Sequence, residues 1–393
     1  MKILSVNAGS SSLKFSLFEM PAQKELVTGN FERIGVGESF YSIKLNGEKT
    51  KKEVELGSHS DAIKYLNEEL ISNGIITSLD DINGIGHRVV HGGSFYSKST
   101  RIKKEVLENI EKLNHLAPLH NPANVMGIKA FMNELPNIPN IAVFDTAFHQ
   151  TMEKEQYLYP VPYECYEKYG IRKYGFHGTS HKYIDQSISE YMGRNDLKVI
   201  SCHIGSGSSI CAINSHKVVD TSMGFTPLAG VMMGTRSGDI DASIIPFIME
   251  KENKSIDEVM DILQNKSGFL GISGISSDSR DIEEKINEGN ERAILTSDMN
   301  ARRIANYIAI YNNILNGADV ICFTAGLGEK DTEGRKEIIE RIASLGIKLD
   351  KIANKEIFST FGKITTEDSK IPVYVVPTNE ELMIAIDTYE IIK

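Results

Sequence analysis

Two arginines carry the first chemical signal. Arg88 lies in GIGHRVVHGG and Arg236 in MMGTRSGD, among glycines and apolar residues rather than on a charged surface. A guanidinium is a planar fork of donors that matches carboxylate or phosphate oxygens two at a time. A structural ion pair explains either arginine alone; two in such surroundings favour an anion site. Arg280, in SSDSRDI, fits an anion site or a surface pair with Asp278 or Asp281. Two loops add neutral donors: NAGSSSLKF (7–15) and HIGSGSS (203–209) each follow an apolar run. Tight turns of this composition aim successive backbone N–H groups at an anion, and Lys14 adds a cation to the first. Neither loop fits G-x-x-x-x-G-K-[ST], and a lone Gly/Ser loop is more often a plain turn. TAGLGE (324–329) is a third glycine turn, set after a strand and before a helix expected over 333–345, where α/β sheets hold ligands.

The histidines and carboxylates narrow the chemistry. His87/His91 and His177/His181 have H-x-x-x-H spacing. Gly92-Gly93 and Gly178 argue against a continuous helix there, and no glutamate completes H-E-x-x-H, so zinc is rejected. His177, in YGFHGTSH, reads as a hydrogen-bond donor to developing negative charge, whereas His120 fits a core position equally well. Asn7, Asp145 and Glu380 each follow an apolar strand. Hard oxygen ligands around a cation that also touches phosphates describe Mg²⁺ in phosphoryl transfer. Each residue alone reads as a cap or turn, so the metal reading rests on all three.

The elements that position these groups alternate between strand and helix signals over 393 residues, which predicts an α/β chain of two domains. Hairpins are expected over 3–7 with 13–18, and over 40–56 turning at Asn46-Gly47. Strands are expected at 82–93, 138–149, 198–214, 319–329 and 373–377, and helices at 60–72 and 291–316. The tyrosine-rich QYLYPVPYECYEKYG looks like a crossing between domains. ILSVNAGSSSLKFSLF (3–18) and VISCHIGSGSSICAIN (199–214) share one plan of strand, serine turn and strand. That plan fits either a duplicated domain or two unrelated serine-rich turns. Formal charge is −10, so a nucleic-acid partner is not expected. The four cysteines lie in apolar runs without C-x-x-C spacing and read as buried thiols of a reducing compartment. The opening apolar run stops at Asn7, and no run reaches membrane-span length, so a cytoplasmic protein without membrane contact is expected.

Together VNAGSSSLKF, GHRVVHGG, FDTAFH, YGFHGTSH, MMGTRSGDID and TNEE, in that order from residue 3 to 381, resemble the acetate kinase family of the sugar-kinase/actin/heat-shock-ATPase superfamily. The resemblance implies two duplicated actin-like (ribonuclease-H-like) domains flanking a cleft: 1–148, with the C-terminal helix 382–393 returning to it, and a nucleotide-binding domain 149–381. It implies a homodimer that moves a phosphoryl group in line between ATP and acetate, giving acetyl phosphate and ADP, with Mg²⁺ or alternatively Mn²⁺. By motif, Asn7 and Glu380 hold the metal, Arg88 the acetate carboxylate or acyl phosphate, and Asp145, His177 and Arg236 are catalytic. Val90, Leu119, Phe176 and Pro227 form the methyl pocket. ATP contacts Lys14, the loop His203, Ile204, Gly205, Ser206 and Gly207, the stretch Asp278, Ser279 and Arg280, and the turn Gly326, Leu327, Gly328, Glu329 and Lys330.

The sequence departs from the family pattern at Ser206 and Lys330, where asparagine is usual, at Ala229 for glutamate, and at Ala242 for proline. Acetate is ionised at neutral pH, as its likeness to side-chain carboxylates of pKa about 4 implies. No proton awaits a general base, and Asp145 is expected to orient an arginine or the metal shell. The alternatives are a propionate or other short-chain carboxylate kinase, and a nucleotide-gated actin- or chaperone-like ATPase without an organic acceptor.

Overall fold

The computed structural model describes residues 1–393. The chain divides into two units, Met1–Phe148 with Asn379–Lys393, and His149–Thr378. Glu380 therefore belongs to the first unit, not to the second as the 149–381 boundary expects.

The first unit holds an eight-stranded sheet. Its strands are β1 (Lys2–Ala8), β2 (Ser12–Glu19), β3 (Lys24–Glu32), β4 (Phe40–Leu45), β5 (Glu48–Glu53), β6 (Ile82–Val89), β7 (Thr100–Arg101) and β8 (Asn140–Phe144), in the order β5-β4-β3-β2-β1-β6-β8-β7. β1, β6 and β8 run parallel, and the remaining pairs are antiparallel. The β4–β5 hairpin turns at Asn46 and Gly47, whose φ of 50° and 88° are what a two-residue turn of matching twist needs. β5 is exposed along its whole length and rich in lysine, which blunts the sheet edge against pairing with another chain.

Side-chain alternation along the central strands assigns two faces. Leu4, Val6 and Ala8 join Ile85 and Phe131 in one core with the helices His59–Ser72 and Asn121–Glu134. On the other face, Ile141 and Val143 pack on Ile384 of the helix Glu380–Ile392. That helix lies against β6 so closely that a Cβ on Gly84 would stand 2.6 Å from Ile392 Cδ1. One on Gly86 would stand 2.2 Å from Thr388 Oγ1.

The second unit holds β9 (Lys198–Ile204), β10 (Ser208–Asn214), β11 (Lys217–Thr221), β12 (Val320–Thr324), β13 (Gly362–Lys363) and β14 (Val373–Val375), ordered β11-β10-β9-β12-β14-β13. β3-β2-β1-β6-β8 of the first sheet and β11-β10-β9-β12-β14 of the second are one plan. Each is an antiparallel meander whose first strand continues into two parallel strands. Even the two-residue edge strands β7 and β13 repeat, each antiparallel to the last parallel strand. The shared serine-turn plan thus marks a duplicated fold. Ile200, Cys202 and Ile204 face a core with the helix Glu291–Ile314. Ser201, His203 and Ser209, offset by one residue, belong to the opposite face, where the helix Gly178–Met192 packs on β9.

TAGLGE is not a turn: the chain leaves β12 at Ala325, with φ of 64°, and enters the short helix Ala325–Lys330. The next helix, expected over 333–345, is Thr332–Arg341 with a single 3-10 turn after it.

Two outcomes follow from this packing. Gly86→Ala forces the helix Glu380–Ile392 off β6 and costs about 1–3 kcal/mol, read as a lowered thermal midpoint. His87 is buried, edge-on to Phe131, and donates from Nε2 to Asn140 Oδ1 at 2.7 Å. Burial pulls its pKa down to about 4, with the Asn140 bond opposing. The unfolded chain protonates this imidazole near about 6.5, so between the two values it binds the extra proton. Stability is then lost as pH falls from about 6.5 towards 4. His87→Gln makes that decline in thermal midpoint shallower.

Candidate active site

In the first unit, the row Gly84, Gly86, Arg88 runs along one face of β6. Gly84 meets Ile392, Gly86 meets Ile384 and Thr388, and Arg88 follows towards the N-terminus of the same helix, where Glu380 stands. Asp145 continues the Ile141–Val143 row beyond the end of β8. Asn7 continues the Ile3–Ser5 row of β1, next to Arg88 in the β1–β6 register. Period-two alternation therefore puts Asn7, Arg88 and Asp145 on the face that carries Glu380.

The polar contacts agree with that placement. Asp145 is buried and receives Arg88 side-on: Nε lies 3.0 Å and Nη2 2.7 Å from Oδ2, and Nε lies 3.2 Å from Oδ1. Arg88 is 24% exposed, so the guanidinium edge not taken by Asp145 can meet an anion. The Asp145 charge raises the Arg88 pKa further, against desolvation. Burial pushes Glu380 up to about 7. The Arg88 charge pulls against this, while Asp145 and Glu381 add to it.

Residues that the sequence reading passed over brace these strand ends. Asn124 donates to Ala8 O at 2.9 Å and accepts from Val90 N at 3.1 Å, tying the end of β1 to the end of β6. Asn121 exchanges two bonds with the His91 backbone, and His59 Nε2 meets Gly9 O at 2.9 Å. Asn121 and Asn124 are buried one helical turn apart, and buried asparagines at that spacing are the signal that was there to be read. His120 is exposed and so is no core residue. Leu119 is 72% exposed while Val90 is buried, so the first unit does not enclose them in one pocket. Lys14 is exposed on β2.

In the second unit, His177 precedes the helix Gly178–Met192 with φ of 58°. Left-handed backbone in a non-glycine residue is strained and is held by its surroundings. Gly178 opens a helix here instead of interrupting one. His181 lies on that helix, and its ring meets His177 through Ser209 Oγ. His177 also stacks on His203 with centroids 4.1 Å apart. A Cβ on Gly207 would stand 3.5 Å from His177 Nε2 and 3.6 Å from Arg236 Nη1, so these two groups converge on one point. The polar contact of Arg236 is Met233 Sδ at 3.9 Å, and desolvation lowers its pKa. A half-buried guanidinium without a carboxylate partner is a site for an anion that comes and goes.

A cavity of about 690 Å³ adjoins this point. It is lined by Ile204, Gly205, Ser206, Asp278, Ser279, Arg280, Gly326, Leu327, Gly328 and Lys330, with Phe269, Ile282, Ile338 and Phe358 as apolar wall. Gly234 N donates to Ser206 O at 3.0 Å, joining the Arg236 segment to the cavity rim. Arg280 is a surface pair with Asp278 that also lines the cavity.

Three of the expected nucleotide contacts lie elsewhere in the unit. His203 is buried and bonded through Nδ1 to Ser180 Oγ. Gly207 faces His177 and Arg236. The Glu329 carboxylate turns inward, accepting from Ala325 N, Thr378 N and Ser359 Oγ at 3.0, 3.1 and 2.9 Å. It thereby holds the strained Ala325 in place. The buried Arg335, also missed, donates to Gly328 O and Glu329 O and clamps the same turn. Phe176 is buried with its carbonyl on His149 Nε2, and Pro227 is partly buried.

The chain has close relatives. The family model described as the acetokinase family matches residues 2–386. An acetate kinase of Geobacillus sp. (strain WCH70) is 53% identical over 392 residues, with 98% of each chain covered. One of Bacillus subtilis (strain 168) is 51% identical, with both chains fully covered. Among solved structures, Porphyromonas gingivalis acetate kinase matches with a TM-score of 0.95 at 42% identity, over all of both chains. A propionate kinase from Francisella tularensis subsp. tularensis SCHU S4 matches with a TM-score of 0.93 at 41% identity, over 99% of each. Fold, site geometry and whole-chain similarity agree: this chain belongs to the acetokinase family.

Proposed function

We propose that this chain is a carboxylate kinase that transfers a phosphoryl group in line between ATP and acetate, in either direction. The observation that carries the reading is the convergence of His177 Nε2 and the unpaired Arg236 on Gly207, at the rim of the cavity. A loose phosphoryl transition state spreads charge over its equatorial oxygens. What it needs is fixed donors and cations already aimed at that charge. Arg236 and His177 supply them, while the cavity's apolar wall and glycine turns receive the nucleotide. In the first unit, Arg88 offers the carboxylate its free edge, and Asp145 orients the guanidinium from the other. Val90, Leu119, Phe176 and Pro227 remain our assignment for the methyl group, and Lys14 for the ATP phosphates.

Mg²⁺ fits the donor set. Glu380 is a carboxylate whose charged form burial and two acidic neighbours disfavour, so a cation there relieves it. Asn7 adds a neutral oxygen. No group of three or more His, Cys, Asp or Glu forms a cage. Nucleotide phosphates and water would complete the shell, as is usual for this ion. When bound, it neutralises phosphate charge and holds the phosphates in line. The same reading makes the protein a cytoplasmic homodimer, and exposed Ile240, Ile244 and Phe247 offer apolar surface to a second copy. No helix is long and apolar enough to cross a membrane.

Initial rates with acetate, propionate and butyrate, each with ATP or GTP and with or without Mg²⁺, test the assignment. Acetate should give the highest kcat/KM, and removing Mg²⁺ should abolish turnover. One methylene is worth only about 10–200-fold, so a propionate preference would move the reading to a propionate kinase. ADP release independent of any carboxylate would instead make the chain an ATPase. Arg236→Ala should lower kcat by about 10²–10³ in steady-state assays with intact folding. Wild-type turnover would remove Arg236 from the transition state.

A further inference from the structure

His177 Nδ1 lies 2.9 Å from Ser209 Oγ. The same oxygen lies 2.8 Å from His181 Nε2, and His181 Nδ1 lies 2.8 Å from Ser201 Oγ. Ser201, Ser209 and His181 are buried, with no more than a trace of exposure. Four polar side chains thus form one line, Ser201–His181–Ser209–His177, whose far end is His177 Nε2 beside Arg236. Strand pairing produces the line: Ser209 opposes His203 and Ser201 opposes Cys211, so both serines face the helix that carries His181.

Hydrogen-bond roles along such a line are not independent. A hydroxyl has one proton, and a neutral imidazole donates at one nitrogen and accepts at the other. Were Ser209 to accept from both histidines, its own buried proton would have no acceptor, so it donates to one and accepts from the other, which leaves two arrangements. In the first, His177 Nδ1–H donates to Ser209, Ser209 to His181 Nε2, and His181 Nδ1–H to Ser201. The buried Ser201 O–H then has no acceptor, and His177 Nε2 has no proton to offer an anion. In the second, every bond is reversed. Ser201 O–H donates to His181 Nδ1, His181 Nε2–H to Ser209, and Ser209 O–H to His177 Nδ1. The buried hydroxyl proton is satisfied, the unfilled sites at Ser201 are lone pairs, and His177 Nε2 carries the proton. An orphaned buried donor is the rarer and costlier defect, so the second arrangement is favoured. Burial keeps His181 neutral.

We propose that Ser201, His181 and Ser209 are positioning residues forming a one-way hydrogen-bond chain that holds His177 as the neutral Nε2–H tautomer, its donor aimed at the transferred phosphoryl group. The inference deepens the kinase reading and rests on it for the role of His177, but the tautomer is measurable without turnover. A ring nitrogen's partner setting the state of the other nitrogen is a general property of histidine. Removing such an outer partner typically costs about 10–100-fold.

The test uses full-length protein with ring-¹⁵N histidine, whose nitrogen shifts separate the tautomers; the His177 signal is identified by its loss in His177→Gln. The expected results are an Nε2–H pattern for His177 and the same for His181 in the wild type. Ser209→Ala should mix the His177 tautomers and lower kcat by about 10–100-fold, with KM for acetate and ATP nearly unchanged. Ser209→Thr, which keeps the hydroxyl, should restore both. An Nδ1–H pattern in the wild type overturns the proposal, even if no variant folds. So does Ser209→Ala with an unchanged pattern and unchanged kcat. His177→Ala at full rate, with the wild-type pattern as expected, upholds the chain and overturns the role of His177 in the reaction.

Discussion

Asp145 sits beyond the end of β8 with almost no exposure, and a carboxylate so placed has to be answered by a cation or neutralised. Arg88 answers it from the adjacent strand, and removing either partner of such a pair leaves a buried charge worth about 3–5 kcal/mol. Much of the first unit serves this contact. β6 and β8 must run parallel and in register for the two side chains to emerge together. Asn124 must hold the ends of β1 and β6, and the glycines of β6 must let the C-terminal helix bring its own carboxylate alongside. The pair leaves half of a guanidinium unspoken for and partly exposed, a geometry that can meet a small anion.

The two units repeat one topology but surround their polar residues differently. Both sheets build a meander whose first strand continues into two parallel strands. In the first unit Asn7 and Arg88, near the ends of β1 and β6, and Asp145, just beyond β8, form one row across the sheet. In the second the polar residues lie inside the strands, as Ser201, His203 and Ser209, and are covered by the helix that His177 begins. The first arrangement leaves one edge of a guanidinium partly exposed; the second buries serines and histidines under a helix. The duplicated scaffold keeps its polar residues on the same face, Ser5 and Asn7 of β1 corresponding to Ser201 and His203 of β9, and has diverged in which residues stand there.

How far the sequence carried the reading follows from the range of the interactions. Strands with a clean apolar run, such as β1, β6, β8 and β9, and the Asn46-Gly47 hairpin are set by neighbours in sequence and were legible. β3, β11, β7 and β13 are weakly patterned or two residues long, and only pairing with a partner strand defines them. Arg88, Asp145, His177 and Arg236 could be named from residue type and glycine framing. What could not be named was how they are held. Glu329 looks like part of a nucleotide turn, yet it faces inward because Ala325 needs an acceptor for its N–H. His181 invited a metal reading because its spacing from His177 is visible, while Ser209, which joins the rings, is distant in sequence. Leu119 was assigned to a pocket by motif, and its exposure is a property of the fold alone.

The helix Glu380–Ile392 covers Ile141 and Val143, yet the whole of the second unit lies between them in the sequence. During synthesis the first unit's sheet emerges long before the helix that completes it, so an apolar strip beside Asp145 waits uncovered. Closing a loop of that length is entropically slow, though the cost grows only logarithmically with length. Until it closes, this strip is an aggregation hazard. The same delay withholds Glu380, and with it the metal-ligand set proposed here, until both sheets have been made.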